Sequence, residues 1–126
     1  MKNKSFHPEF RCNGFAFDSE SELLFFSSTV SKSVHTFLSD WFSSLDFVIV
    51  KTSGSTGSPK PIKIKKEFMI NSALTTGAFF DLPEKKSALL CLSTDFIAGK
   101  MMLVRALVLG WHLDIVLPHT APLNNN

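Results

Sequence analysis

One stretch of the chain has residue types that could hold a phosphate. It reads Thr52-Ser53-Gly54-Ser55-Thr56-Gly57-Ser58-Pro59-Lys60. Thr52, Ser53, Ser55 and Thr56 supply hydroxyls, and Gly54 and Gly57 let the backbone approach a ligand closely. Successive N–H groups in such a loop form a concave anion nest. Lys60 adds a mobile cation that meets a phosphate as a point charge. The spacing differs from a Walker A loop, which needs a Gly, four residues and then Gly-Lys-Ser/Thr. Here Gly57 follows Gly54 too soon, and Pro59 precedes Lys60. G-x-G-x-x-G is absent, so this is no dinucleotide fingerprint either. By composition alone, a flexible Ser/Gly connector is an equal alternative.

A loop of this kind needs rigid elements on both sides. Residues 47–50 are a short apolar, β-branched run, predicted as a buried strand. After the loop, Ile62 and Ile64 alternate with Lys63 and Lys65, which predicts a second strand and a strand–loop–strand unit. Lys51, Lys60, Lys63, Lys65 and Lys66 crowd this unit, either as a solvated face or as company for an anion. Before it, Val34, Phe37, Leu38, Trp41, Phe42 and Leu45 recur at helical spacing, predicting a helix over 31–45 capped by Ser31 or Ser33. Residues 15–17 form a short apolar patch. Residues 23–26 read equally as strand or helix.

Downstream, the pattern predicts a helix over 68–80 ended near Pro83, then a buried strand over 88–92. A turn at 93–95 leads into a helix over 97–109 that Gly110 ends, and a strand over 113–117 stops at Pro118. Strands alternating with helices imply parallel pairing and an α/β fold.

Composition narrows the classes. The chain has 126 residues, 44% hydrophobic and 19% charged, which excludes intrinsic disorder. Thirteen Phe and no Tyr favour a packed core over a base-stacking surface. A net charge of +2 is too small to argue for nucleic acid. Cys12 and Cys91 are far apart and read as reduced thiols in a cytoplasmic protein. His7, His35, His112 and His119 lack metal spacing. The longest apolar run, 101–111, is interrupted by Arg105 and is too short to span a bilayer, and residues 1–10 lack an apolar export core.

The string from Thr52 to Lys60 resembles the Thr-Ser-Gly-Ser/Thr-Thr-Gly-x-Pro-Lys signature of the adenylate-forming superfamily, which includes acyl-CoA synthetases, luciferases and peptide-synthetase adenylation domains. The match is unbroken through Lys60; Pro61 then stands where the signature usually continues with Gly. The segment 89–99 is similar to the family's strand, turn and Ala/Ser-Gly step into a helix, with Phe96 where many members carry His. The run 96–110 and Pro59-Lys60-Pro61-Ile62 resemble the o-succinylbenzoate–CoA ligases of menaquinone synthesis.

That resemblance implies part of the large N-terminal AMP-binding domain: a lead-in over 1–46, a phosphate-loop βαβ region over 47–118, and a truncated tail over 119–126. It implies ATP and Mg²⁺ as cofactors, coenzyme A as co-substrate, and a small carboxylic acid activated as its acyl-adenylate before thioester formation. Thr52, Ser53, Gly54, Ser55, Thr56, Gly57 and Lys60 would cradle the β- and γ-phosphates, with Lys60 as the catalytic cationic clamp. Lys100 and Arg105 are candidates for an acidic substrate. They lie five apart on the predicted helix, so they point about 140° apart. The competing expectation is that Lys100 snorkels at the helix end and Arg105 pairs with a carboxylate. The family's later adenine-binding, ribose-binding and C-terminal lysine motifs are absent, so the chain alone is expected to be inactive, with apolar faces left open. A non-catalytic phosphate- or nucleotide-binding fragment is the alternative.

Overall fold

The computed structural model describes residues 6–51, 60–79, 86–90, 94 and 97–115. In chain order the elements are β1 (Arg11–Cys12), α1 (Glu20–Val30), α2 (Lys32–Trp41), β2 (Phe47–Lys51), β3 (Pro61–Lys65), α3 (Lys66–Phe79), β4 (Ser87–Leu90), α4 (Ile97–Leu109) and β5 (His112–Ile115). A parallel sheet runs in the order β1-β5-β4, and β2 and β3 pair separately as an antiparallel hairpin. The parallel pairing expected throughout therefore holds for β1, β4 and β5 but not for the two strands that carry the loop. The βαβ unit is β4–α4–β5, and the hairpin lies outside it.

Two helices start on serine caps. Ser19 Oγ accepts from Glu22 N at 3.2 Å, and Glu22 Oε1 accepts from Asp18 N at 2.7 Å, which fixes 23–26 as helix. Ser31 Oγ accepts from Val34 N at 3.3 Å. The second helix stops at Trp41, short of the expected residue 45. Ser43 bends back instead, its Oγ donating to Asp40 O at 2.7 Å, an exit from helix that serine offers readily. Leu45 is consequently exposed. α3 spans Lys66–Phe79, starting two residues before the expected 68, and α4 spans the expected residues.

The core joins both sheets to the helices through Leu23, Leu38, Met69, Leu103, Leu107 and Leu113. Phenylalanines line its N-terminal side: Phe6 meets Phe10 edge-on at 5.7 Å, Phe10 meets Phe17, and Phe17 meets Phe26 at 5.3 Å. Phe6, Phe10, Phe17 and Phe37 are buried in the core, whereas Phe15, Phe25, Phe68 and Phe79 are exposed, so the packed core expected from composition takes up only some of the phenylalanines. Phe25, Phe68, Phe79 and Leu89 are exposed large apolar side chains on α1, α3 and β4. Among the described residues, no helix is long and apolar enough to cross a membrane.

Gly110 ends α4 with φ +76°, its N–H donating to Ala106 O at 3.0 Å. A Cβ there would strike the His7 ring, and the His7 backbone N is itself fixed to Leu107 O at 2.8 Å. Gly110→Ala thus meets both positive-φ strain and a clash. It should lower the unfolding free energy by about 2 kcal/mol, read by urea denaturation. An unchanged midpoint would contradict this packing.

Cys12 is buried in β1, and its thiol is pushed up from an ordinary 9.0 to about 12, first by desolvation and then by the nearby Asp114 charge. Because the folded state holds the proton more tightly, this stabilisation is complete below about pH 9 and is lost as pH rises towards 12. In the folded protein at pH 8, Cys12 should resist a thiol-directed reagent that labels it after unfolding. Rapid labelling of native Cys12, mapped by peptide mass, would refute the burial.

Candidate phosphate-binding site

The hairpin register is Phe47↔Lys65, Val48↔Ile64, Ile49↔Lys63, Val50↔Ile62 and Lys51↔Pro61. Val48 and Val50 face the core, while Ile49 is 45% exposed, so β2 is half-buried rather than the buried strand expected. Alternation explains this: an antiparallel pair can pack one face and wet the other. The pairing ends at Lys51 and Pro61, which places both ends of the loop at one point. Residues 52–59, including Thr52, Ser53, Gly54, Ser55, Thr56 and Gly57, lie outside the described residues.

Lys60 is described and exposed, immediately before β3. It sits between Pro59 and Pro61. The proline after it disfavours helical backbone at Lys60 and keeps it extended. Pro61 itself opens a strand, a position where a missing N–H is tolerated. The departure from the usual Gly at 61 is therefore compatible with a clean strand start.

The base of the hairpin is fixed by Lys66. Its N donates to Asp46 O at 2.9 Å and its Nζ donates to Ser43 O at 2.9 Å, tying β3 and α3 to the end of α2. Burial lowers the Lys66 pKa, opposed by Asp40, Asp46 and Glu20. This lysine is thus part of the scaffold.

Lys100 is 8% exposed. Its ammonium donates to Thr94 O and lies 5.3 Å from the Phe37 ring centroid. Thr94 Oγ1 donates to Ser33 Oγ at 3.0 Å, so the contacts run from α4 through the turn before it to the first turn of α2. Lys100 does not snorkel. Arg105, on the same helix, is partly buried, and its buried Nε has no hydrogen-bond partner among the described residues. The two cations therefore differ in the way the sequence did not show: the one beside Gly99 is engaged with the turn, and the other keeps an unsatisfied donor atom. Cys91 lies outside the described residues, whereas His112 sits in β5 with its N donating to Lys86 O at 2.8 Å.

An acyl-CoA synthetase (AMP-forming)/AMP-acid ligase II-like protein from Dyadobacter fermentans superposes on 68% of this chain with 38% identity and a TM-score of 0.60. The chain is similar to part of an AMP-forming ligase. It spans 25% of that protein's length. The Vibrio cholerae adenylation domain AlmE, solved with glycyl-adenosine-5'-phosphate, matches 69% of the chain and 17% of its own at 20% identity and a TM-score of 0.48. No protein family description and no curated protein matches the chain. The similarity to the AMP-forming ligase agrees with the mixed α/β architecture and the parallel sheet expected from sequence.

Proposed function

We propose that this chain supplies the phosphate loop of an ATP-dependent acid–CoA ligase. The observation that carries the proposal is the unbroken Thr52–Lys60 signature leaving and re-entering an antiparallel hairpin, in a chain 38% identical over the matched part to an AMP-forming ligase-like protein. The exposed Lys60 and the loop's hydroxyls form a donor set suited to a polyphosphate. Thr52, Ser53, Ser55 and Thr56 donate to the β- and γ-phosphates, Gly54 and Gly57 allow close approach, and Lys60 neutralises charge. Mg²⁺ arrives with the ATP phosphates and shares that neutralisation.

The chemistry that these residues serve has two displacements. The acid's carboxylate oxygen forms a bond to the α-phosphorus as the bond to pyrophosphate breaks. The thiolate of coenzyme A then adds to the acyl carbon, and AMP leaves. The chain's contribution is positioning and charge stabilisation of the departing pyrophosphate. The acid is proposed to be o-succinylbenzoate, a dicarboxylate, with Lys100 or Arg105 as the counter-charge of its second carboxylate. The reaction is proposed to run in the cytoplasm, and this chain, which spans 25% of the ligase-like protein's length, is proposed to be inactive by itself.

The test is acid-dependent ATP–pyrophosphate exchange by the native gene product, with its intact mass measured alongside. Exchange that requires o-succinylbenzoate, in a product heavier than 14.0 kDa, is expected. A product of 14.0 kDa that ATP stabilises against heat but that shows no exchange would favour a non-catalytic nucleotide-binding role. Indifference of the thermal midpoint to both ATP and pyrophosphate would remove the phosphate-site reading altogether.

A further inference from the structure

Residues directly opposite in an antiparallel pair share one face of the hairpin. The register therefore gathers Phe47, Ile49, Lys51, Pro61, Lys63 and Lys65 on the side away from Val48 and Val50. Lys51, Lys63 and Lys65 are all exposed there. Lys63 Nζ stands 4.7 Å over the Phe47 ring, which holds its charge against the strand surface. No Asp or Glu occurs between residues 47 and 66, although five lysines do. The other eight basic and eleven acidic residues leave the rest of the chain at −3, so the charge is strongly polarised towards the hairpin.

A solvated face would ordinarily intersperse carboxylates among its lysines. The pairing ends at Lys51 and Pro61, so Lys51 adjoins the loop directly, and Lys63 and Lys65 follow it along the same face of the hairpin. Summed fields of this kind raise the local concentration of a counter-charged ligand and its association rate. We infer that the Lys51, Lys63 and Lys65 face is an electrostatic guide that speeds capture of a nucleotide polyphosphate by the adjoining loop. The inference rests on the phosphate-loop reading proposed above. It assigns these three lysines to the rate of encounter, whereas Lys60 acts on the bound phosphates.

The test is stopped-flow association of mant-ATP with the protein, wild type against Lys51→Gln/Lys63→Gln/Lys65→Gln, across a salt series, with mant-adenosine as the uncharged control. The triple variant is expected to associate about tenfold more slowly at about 20 mM salt, with its dissociation rate within about twofold of wild type. The difference should vanish at about 500 mM, where the Debye length shrinks to a few ångströms. The wild-type salt slope tests the same point without any substitution. A flat wild-type slope, equal association rates, or a loss confined to dissociation would each overturn the guide while leaving the loop reading intact. Failure of wild type to bind mant-ATP at any salt would instead overturn the loop reading, and the guide with it.

Discussion

Lys60→Ala should slow ATP–pyrophosphate exchange by about 100-fold, the usual cost of removing one preorganised charge-stabilising donor. The structure makes this substitution unusually clean. Lys60 is exposed, so its removal leaves no core cavity, and stability should change by less than about 0.5 kcal/mol. Its backbone is restricted by Pro61, so alanine inherits the same extended path. The loss should fall mainly in kcat, because charge on the leaving pyrophosphate grows as the bond to the α-phosphorus breaks. Lys60→Arg should recover part of the rate, since it keeps the charge but presents a planar fork in place of a compact ammonium. Parallel measurements of exchange rate and thermal midpoint separate the outcomes. Unchanged exchange would remove Lys60 from the chemistry. A large fall in midpoint would show that the lysine holds the hairpin instead.

The parts of the fold that were legible in sequence had strong local signals. The second helix announced itself by apolar residues at three- and four-residue spacing, and the fourth by a long apolar run with glycine after it. The first helix was ambiguous because Leu23, Leu24, Phe25 and Phe26 are contiguous and fit either period. The Ser19 and Glu22 pair just upstream, three apart, was the signal that could have decided it. The two-residue β1 left no local trace. Its partner is His112–Leu113, far along the chain, and its position is further set by Asn13, whose Oδ1 accepts from Ile115 N at 2.8 Å. Nor could the apolar run in β2 reveal that only alternate residues are buried, since that depends on the direction in which β3 returns.

The candidate site divides the same way. The proposed phosphate-loop residues rest on composition and order alone, while the difference between Lys100 and Arg105 was invisible because both are cations on one apolar helix. Only tertiary packing brings the carbonyl of Thr94 and the ring of Phe37 to the Lys100 ammonium. The turn before α4 is thereby tied to α2, and α2 is in turn tied through Ser43 and Lys66 to the base of the loop hairpin. The two polar contacts thus anchor opposite ends of α2, one to the turn before α4 and one to the base of the β2–β3 hairpin, although nothing in the local sequence of either segment points to the other.

Lys100→Ala should lower the unfolding free energy by about 3 kcal/mol, a fall in thermal midpoint on the order of 10 °C. The buried side chain gives up a charged hydrogen bond to the Thr94 carbonyl and its contact with Phe37, and the carbonyl loses a partner that water cannot easily replace. Lys100→Met keeps most of the apolar stem, so it should recover the packing part of this loss but not the hydrogen bond. Stability alone does not distinguish a strut from a substrate residue, and the kinetics do. If Lys100 also meets the acid's second carboxylate, Lys100→Met should raise KM for o-succinylbenzoate about tenfold or more, with kcat less affected, at a temperature where the variant stays folded. A destabilised variant with unchanged KM would make Lys100 the tie between α4 and α2 alone. The counter-charge would then fall to Arg105, whose buried Nε lacks a hydrogen-bond partner among the described residues. Arg105→Met would in that case raise KM while leaving the contacts of Thr94 with Lys100 and Ser33 in place.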